Sequence, residues 1–310
     1  MDNTSTYSNV LHLEDLVTSE ASVFPVFFLL LFAYLTLLVS NTGLLILIIT
    51  ERSLHQPMYL LFCNLSINDI IGNSVLLPRL LSDMVSTQKL ITYGECATQV
   101  FLTHTFGTAS HILLIIMAVD RYVAICQPLR YSAIMSTRTV IVMTAFAWGA
   151  TLVLIFILVG LTLRLSRCRS HLMNSYCDNA SLFKLSCEDV SVNNIYGLTF
   201  TVVLFSSSMI SIAFTYTRIA VVCWTKKSKD LNSKAMQTCA SHLVLYLIML
   251  CTGFLTVILH RFSDFPYLRK LAHILFHVVP GNLNPVIYGL QSKALRQKIV
   301  QIFHRKVIHE

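Results

Sequence analysis

Seven stretches of this sequence are long and apolar enough, or nearly so, to cross a lipid bilayer, and that count leaves few architectures open. A helix needs roughly 20 mainly apolar residues to traverse the hydrocarbon core. The stretches run from Phe24 to Ile49, Met58 to Met84, Ala97 to Ile125, Thr139 to Leu161, Ile195 to Trp224, Ala235 to His260 and Leu268 to Leu290. Strands of a membrane barrel would be short and alternating, so these continuous runs read as helices. The composition agrees: 55% of the residues are hydrophobic, 12% are charged, and the mean hydropathy is +0.67. The 310 residues hold one all-α bundle, 24–290, between a tail of 1–23 and a segment of 291–310. The loops are too short to carry an enzyme domain.

Orientation follows from the bases. With the N-terminus outside, 14 of the 23 lysines and arginines fall at the cytoplasmic ends, among them Arg121, Arg130, Lys226, Lys227, Lys229 and Lys234. The cytoplasmic half then carries a net +9 and the outer half −1, as the positive-inside rule requires. The basic balance is explained by anionic inner-leaflet lipid and cytoplasmic partners, without nucleic acid. Met1 to Glu20 holds acids and no basic residue, so no cleavable signal peptide is expected and the first span directs insertion. Asn3-Thr4-Ser5 and Asn179-Ala180-Ser181 are glycosylation acceptors on the outer side, whereas Asn64-Leu65-Ser66 sits within the second span and should stay unmodified.

Of nine cysteines, Cys63, Cys126, Cys223, Cys239 and Cys251 lie in spans or at their cytoplasmic ends and should be reduced thiols. Cys96, Cys168, Cys177 and Cys187 lie outside, an even number that suggests two bridges. Three pairings satisfy the spacing equally. Short ligand pairs with histidine spacing are missing from the outer loops, so no metal or other cofactor is expected.

Ionisable and polar groups at membrane depth are costly and therefore informative. Asp69 in the second span, Asn41 in the first and Asn284 in the seventh fall at similar depth, where they can share a water cluster or a small cation. Pro280 and Pro285 each remove an amide donor from the seventh span and kink it, as a pivot or as fixed geometry. Asp120, Arg121 and Tyr122 stand where the third span meets the cytoplasm, next to Pro128 and Arg130 in a short loop. The outer half of that span is polar, and His104, Thr108 and His111 share one face, consistent with a water-reached cavity. Arg261, at the outer end of the sixth span, is either a donor into that cavity or a base reaching the interface. Beyond the last span, Leu295, Ile299, Ile302 and Phe303 make an apolar stripe among Lys293, Arg296, Lys298 and Arg305, the pattern of a short amphipathic helix on the inner membrane surface.

At these residues the chain resembles a rhodopsin-like G-protein-coupled receptor, and more narrowly an odorant receptor. The broader likeness rests on Asn41, Asp69, Asp120-Arg121-Tyr122, Trp148 and Asn284-Pro285 with Tyr288. The narrower one rests on LHQPMYLLFCNLS (Leu54 to Ser66), MAVDRYVAICQPLRY (Met117 to Tyr131), KAMQTCASHL (Lys234 to Leu243) and NPVIYGLQSKALR (Asn284 to Arg296).

The resemblance implies bridges Cys96 to Cys177 and Cys168 to Cys187. It implies coupling to a stimulatory heterotrimeric G protein and cyclic AMP production through Arg121, the loop after it and the inner ends of the fifth and sixth spans, with Tyr216, Lys234 and Tyr288 in the switch. It places the protein in the plasma membrane, in the cilia of olfactory sensory neurons. The triplet His260-Arg261-Phe262 is similar to the fish-like class of odorant receptors, in which a base here and His104 face a polar or carboxylate ligand. The expected walls of the odorant site are His104 and Thr108, Phe200 and Val203, and Val257, Ile258 and Arg261. Val119 and Thr215 depart from the tyrosine and serine usual at their places.

A non-olfactory chemoreceptor of the same family fits the same residues. A transporter or channel would show inverted repeats or paired broken helices, and the two halves of the chain have no such similarity. An intramembrane enzyme would need a nucleophile or metal ligands at depth, and His111, His242 and His277 have no recognisable spacing for either.

Overall fold

A computed structural model describes residues 9–17, 20–225, 229–260, 265–291, 295–298 and 301. Among them, seven long helices form the bundle: α1 (Glu20–Thr50), α2 (Pro57–Val85), α3 (Tyr93–Cys126), α5 (Thr137–Leu163), α7 (Ser191–Thr225), α8 (Lys229–Leu259) and α9 (Pro266–Gln291). Two short ones, α4 (Tyr131–Ile134) and α6 (Asn179–Phe183), lie in loops at opposite ends. All but α9 of the long helices are apolar enough to cross a membrane on composition alone. The exception carries Arg269, Lys270, His273, His277 and Asn284, all of which it buries inside the bundle.

The distribution of side chains is inverted relative to a water-soluble protein. Phe28, Phe32, Phe146, Phe156 and Ile210 point outward, while Asn41, Asp69, Asn73, His111 and Asn284 are buried. In hydrocarbon the outward residues need no cover, and helix association rests on close packing and interhelical hydrogen bonds. Asn68 Nδ2 of α2 donates to Ser110 Oγ of α3 at 2.8 Å, and Trp148 Nε1 of α5 donates to Asn64 Oδ1 of α2 at 3.1 Å. Asn64 is thereby absorbed into the bundle. Gly281 lets α9 approach α1, since a Cβ there would stand 2.5 Å from Leu37 Cδ1.

Helix starts follow local chemistry. Thr92 and Glu95 form a reciprocal capping box at α3, and Ser136 caps α5 by accepting from Thr139 N at 3.2 Å. Pro57 opens α2, where its missing amide costs nothing.

At the end of the bundle reached by the start of α3, β1 (Val10–His12) pairs antiparallel with β2 (Leu90–Thr92), Leu11 opposite Ile91. The loop before α6 joins this sheet: Leu172 N donates to His12 O at 2.9 Å. Part of what the sequence suggested was a plain tail is thus built into the fold, with Leu11 wholly buried among Val100, Ile155 and Leu172. Cys96 is bonded to Cys177, with 5.4 Å between Cα atoms, and Cys168 to Cys187, with 5.8 Å. These are the pairs that the family resemblance implied.

Beyond α9, residues 295–298 are helical, Leu295 is buried, and Lys298 pairs with Glu51 at 2.9 Å. Lys293, Ile299, Ile302, Phe303 and Arg305 lie outside the described residues, so the amphipathic stripe is described only in part.

Candidate functional site

A cavity of about 330 Å³ opens between α3, α5, α7, α8 and α9 beneath the loop that carries α6. His104, Thr108, Phe200 and Val257 line it, as expected from the sequence. Val203 and Ile258 do not. They are 59% and 47% exposed and face outward. Ile258 continues the outward stripe of Val244, Leu247 and Leu255 on α8, about 100° around the helix from Val257, and Val203 stands beside the exposed Val202 on α7. Arg261 and Asn3 lie outside the described residues.

The cavity also draws on residues that the sequence reading passed over. Phe205 of α7, His260 at the end of α8, Phe276 and His277 of α9 and Asp178 of the loop all line it. The i, i+4 spacing of His273 and His277, on a helix that is polar along one face, was the available signal. Asn179 needs correction as a glycosylation acceptor. It is buried, lines the cavity, and its Oδ1 accepts from Thr162 Oγ1 at 2.8 Å, which leaves no room for a glycan in the folded chain.

Asp178 organises this roof. Its carboxylate accepts from Ser181 N at 2.9 Å, capping α6, and from Asn174 Nδ2 at 2.7 Å, and it stands 3.4 Å from His260 Nε2. Burial alone would raise this carboxyl, but His260 and the donors of Ser181 and Asn174 outweigh burial and hold it below the ordinary carboxylate range. Two cations of α9 secure the layer above: Arg269 Nε donates to Asn174 Oδ1 at 2.9 Å, and Lys270 pairs with Glu14 at 3.2 Å. Tyr176 stacks on His273 with ring centroids 3.8 Å apart.

Midway along the bundle, Asn284 Nδ2 donates to Asp69 Oδ2 at 2.8 Å and Asn41 Nδ2 donates to the Gly281 carbonyl at 2.9 Å. Asn41 and Asp69 both meet α9, not each other. Asp69 Oδ1, Asn41 Oδ1, Asn73 Oδ1 and the Tyr288 hydroxyl are buried without a partner. This concentration of unused oxygens suits waters or a small cation.

At the opposite end from the disulfides, Arg121 lies 3.9 Å from Asp120, contacts Met58 Sδ, and shares its aspartate with the Tyr131 hydroxyl, which donates at 2.8 Å. Tyr122 packs with Cys126, Tyr216 and Cys239. The Tyr216 hydroxyl and His242 Nδ1 are hydrogen-bonded at 2.5 Å, joining α7 to α8. Tyr288, three residues past Pro285, stacks on Phe62 at 4.4 Å. Lys234 lies in α8, outside the described side chains. In the loop after Arg121, Leu129 is 99% exposed, an apolar side chain at a polar end that invites a partner's cover.

Seven membrane-length helices, a loop bridged to the third of them and a cavity above a buried polar layer define a receptor fold of the rhodopsin type. Squid rhodopsin superposes with a TM-score of 0.72 over 94% of this chain and 82% of its own, at 18% identity. The family model described as Olfactory receptor matches residues 30–306. Human Olfactory receptor 52N4 is 34% identical over 273 residues, 87% of this chain and 85% of the relative, and human Olfactory receptor 51I2 is 34% identical over 274 residues, 87% and 88%. The chain belongs to the olfactory receptor family. It is a multi-pass membrane protein of a family of receptors, not enzymes.

Proposed function

We propose that a small odorant entering the cavity activates this receptor, and that the Arg121 end passes the signal to a stimulatory heterotrimeric G protein and so to cyclic AMP. The observation that carries this reading is the pairing of a cavity lined in part by aromatic rings at one end with Arg121 and the bare Leu129 at the other. In this reading the disulfide end and the N-terminus are extracellular, and the receptor works in the plasma membrane of olfactory cilia.

A ligand shifts a two-state bundle only by binding one state more tightly than the other. The cavity walls come from α3, α7, α8 and α9, so a ligand that draws these helices together favours one arrangement. At the far end α7 and α8 are held by Tyr216 and His242, a contact that a shift of α8 would break. The exposed surface beside Arg121 is then the G-protein face, with Leu129 as an apolar anchor. The oxygens around Asp69 hold water or a cation that can rearrange with α9.

Replacing Arg121 with Ala should reduce odorant-evoked cyclic AMP to the untransfected level while surface staining persists; a variant that signals normally refutes the coupling site. A carboxylic acid is the ligand class that Arg261 would serve, by a charge-assisted bond. Any response to an acid should then depend on Arg261: Arg261→Ala should abolish it and spare neutral odorants, and unchanged acid dose curves would remove Arg261 from the site.

A further inference from the structure

The imidazoles around the cavity are held in one tautomer by the backbone. His104 Nδ1 lies 3.0 Å from the Val100 carbonyl, and His277 Nδ1 lies 3.0 Å from the His273 carbonyl. A carbonyl oxygen can only accept, so in each ring Nδ1 carries the hydrogen. The neutral ring then has its lone pair on Nε2. Both rings line the cavity, and His277 Nε2 is buried without a partner, as is Nε2 of the neighbouring His273. The centroids of His273 and His277 are 4.6 Å apart. α3 and α9 therefore bring acceptors to a mainly apolar space, in which Phe200, Phe205 and Phe276 stand beside the hydroxyls of Thr108, Thr201 and Thr256.

We propose that the cavity selects ligands bearing a neutral hydroxyl, an alcohol or a phenol, whose O–H donates to the Nε2 of His104, the ring that stays partly exposed, while its hydrocarbon part lies on the phenylalanines. This rests on the reading of the cavity as the odorant site. Buried acceptors without donors are costly, and a ligand that supplies the donor removes that cost. A carboxylate has no hydrogen to give at neutral pH and would face these lone pairs together with the charge of Asp178. An ammonium group would donate, but it must lose its hydration, and the carboxylate at hand is already engaged by Ser181, Asn174 and His260. Lys184 lines the rim with an exposed side chain and leaves the acceptor wall unchanged.

The test is the thermal unfolding of the purified full-length receptor in nanodiscs at neutral pH, titrated with hexanol, hexanoate, hexylammonium and methyl pentyl ether. Hexanol should stabilise at concentrations about three- to tenfold below those the ether needs, the worth of one buried hydrogen bond. His104→Phe should bring hexanol to the level of the ether, and His104→Gln, which retains an acceptor, should restore part of the difference. The unliganded melting point of each variant reports whether it folds. In ¹⁵N-histidine spectra, hexanol should shift an unprotonated Nε2 resonance and the ether should not. Equal potency of alcohol and ether, a preference for hexanoate or hexylammonium, an alcohol preference that survives His104→Phe, or no stabilisation by any of the four overturns the proposal. Binding is read without cyclic AMP, so a receptor that binds hexanol and fails to signal refutes the coupling and leaves this subsite standing.

Discussion

The two ends of the bundle are held by different kinds of bond. At the cavity end, two disulfides, a two-stranded sheet, and the clamps of Arg269 and Lys270 fix the loops in place. At the Arg121 end, the described ties between helices are single side-chain contacts, Tyr216 with His242 and Arg121 with Met58, beside a loop whose Leu129 stands free. Covalent and layered constraints preserve the shape of a binding site. Single hydrogen bonds, each worth about 1 kcal/mol, can be exchanged within the range a small ligand supplies. The contrast matches a device that is rigid where it reads a chemical and reversible where it reports.

The largest effect should come from breaking the rigid end. Cys96 and Cys177 are 81 residues apart and Cys168 and Cys187 are 19 apart, so loop-closure entropy gives about 4 and about 3 kcal/mol for the two bridges. The first also ties the cavity roof to α3. Cys96→Ser should abolish surface expression, whereas Cys168→Ser should retain part of it, as read by antibody staining of unpermeabilised cells. Equal survival of both would mean that the roof does not depend on its covalent tie. At the reversible end, Tyr216→Phe removes the contact with His242 and should raise basal cyclic AMP about fivefold, the effect of about 1 kcal/mol on a two-state balance, with surface expression unchanged.

The roof also responds to protons in a direction set by Asp178. Its carboxyl is held below the ordinary range, so the stability it contributes is complete above the ordinary carboxylate pKa and is lost as pH falls through the lowered folded value. The melting temperature of the wild-type receptor should fall on acidification through that window. Asp178→Asn should melt lower at neutral pH and show a flatter acid limb, because the group that titrates is gone. A variant whose profile runs parallel to the wild type would remove Asp178 from the linkage.

The long elements were legible in the sequence because hydrocarbon selects them by length and apolarity alone: the expected spans and the seven long helices differ by a few residues at each end. Asp69, Asp120, Arg121 and Asn284 were legible because charge and amide groups at those depths have few alternatives, whereas the Tyr131 hydroxyl on Asp120 was not singled out. Facing was harder. On α7 and α8 apolar residues recur on every face, so Val203 and Ile258 looked the same as Phe200 and Val257. The roof was hidden for another reason: Leu11 opposite Ile91 and Asp178 beside His260 are meetings between distant segments of chain, and three-residue strands carry no periodicity to announce them.

That ambiguity of facing gives the smallest and sharpest prediction. Phe200 lines the cavity, and Val203, three residues on, is turned outward on the same helix. Phe200→Ala removes a ring from the wall and should weaken an activating odorant about tenfold or more, since truncating a large buried ring costs at least 1 to 2 kcal/mol of contact. Val203→Ala removes two methyl groups that meet lipid, which solvates what remains as well as before, and should leave the half-maximal odorant concentration within about twofold. Paired dose-response curves in a cyclic AMP reporter cell decide the matter. If Val203→Ala weakens the response as much as Phe200→Ala, then α7 turns by about a sixth of a revolution when the receptor is active, and the cavity described is that of the resting arrangement alone.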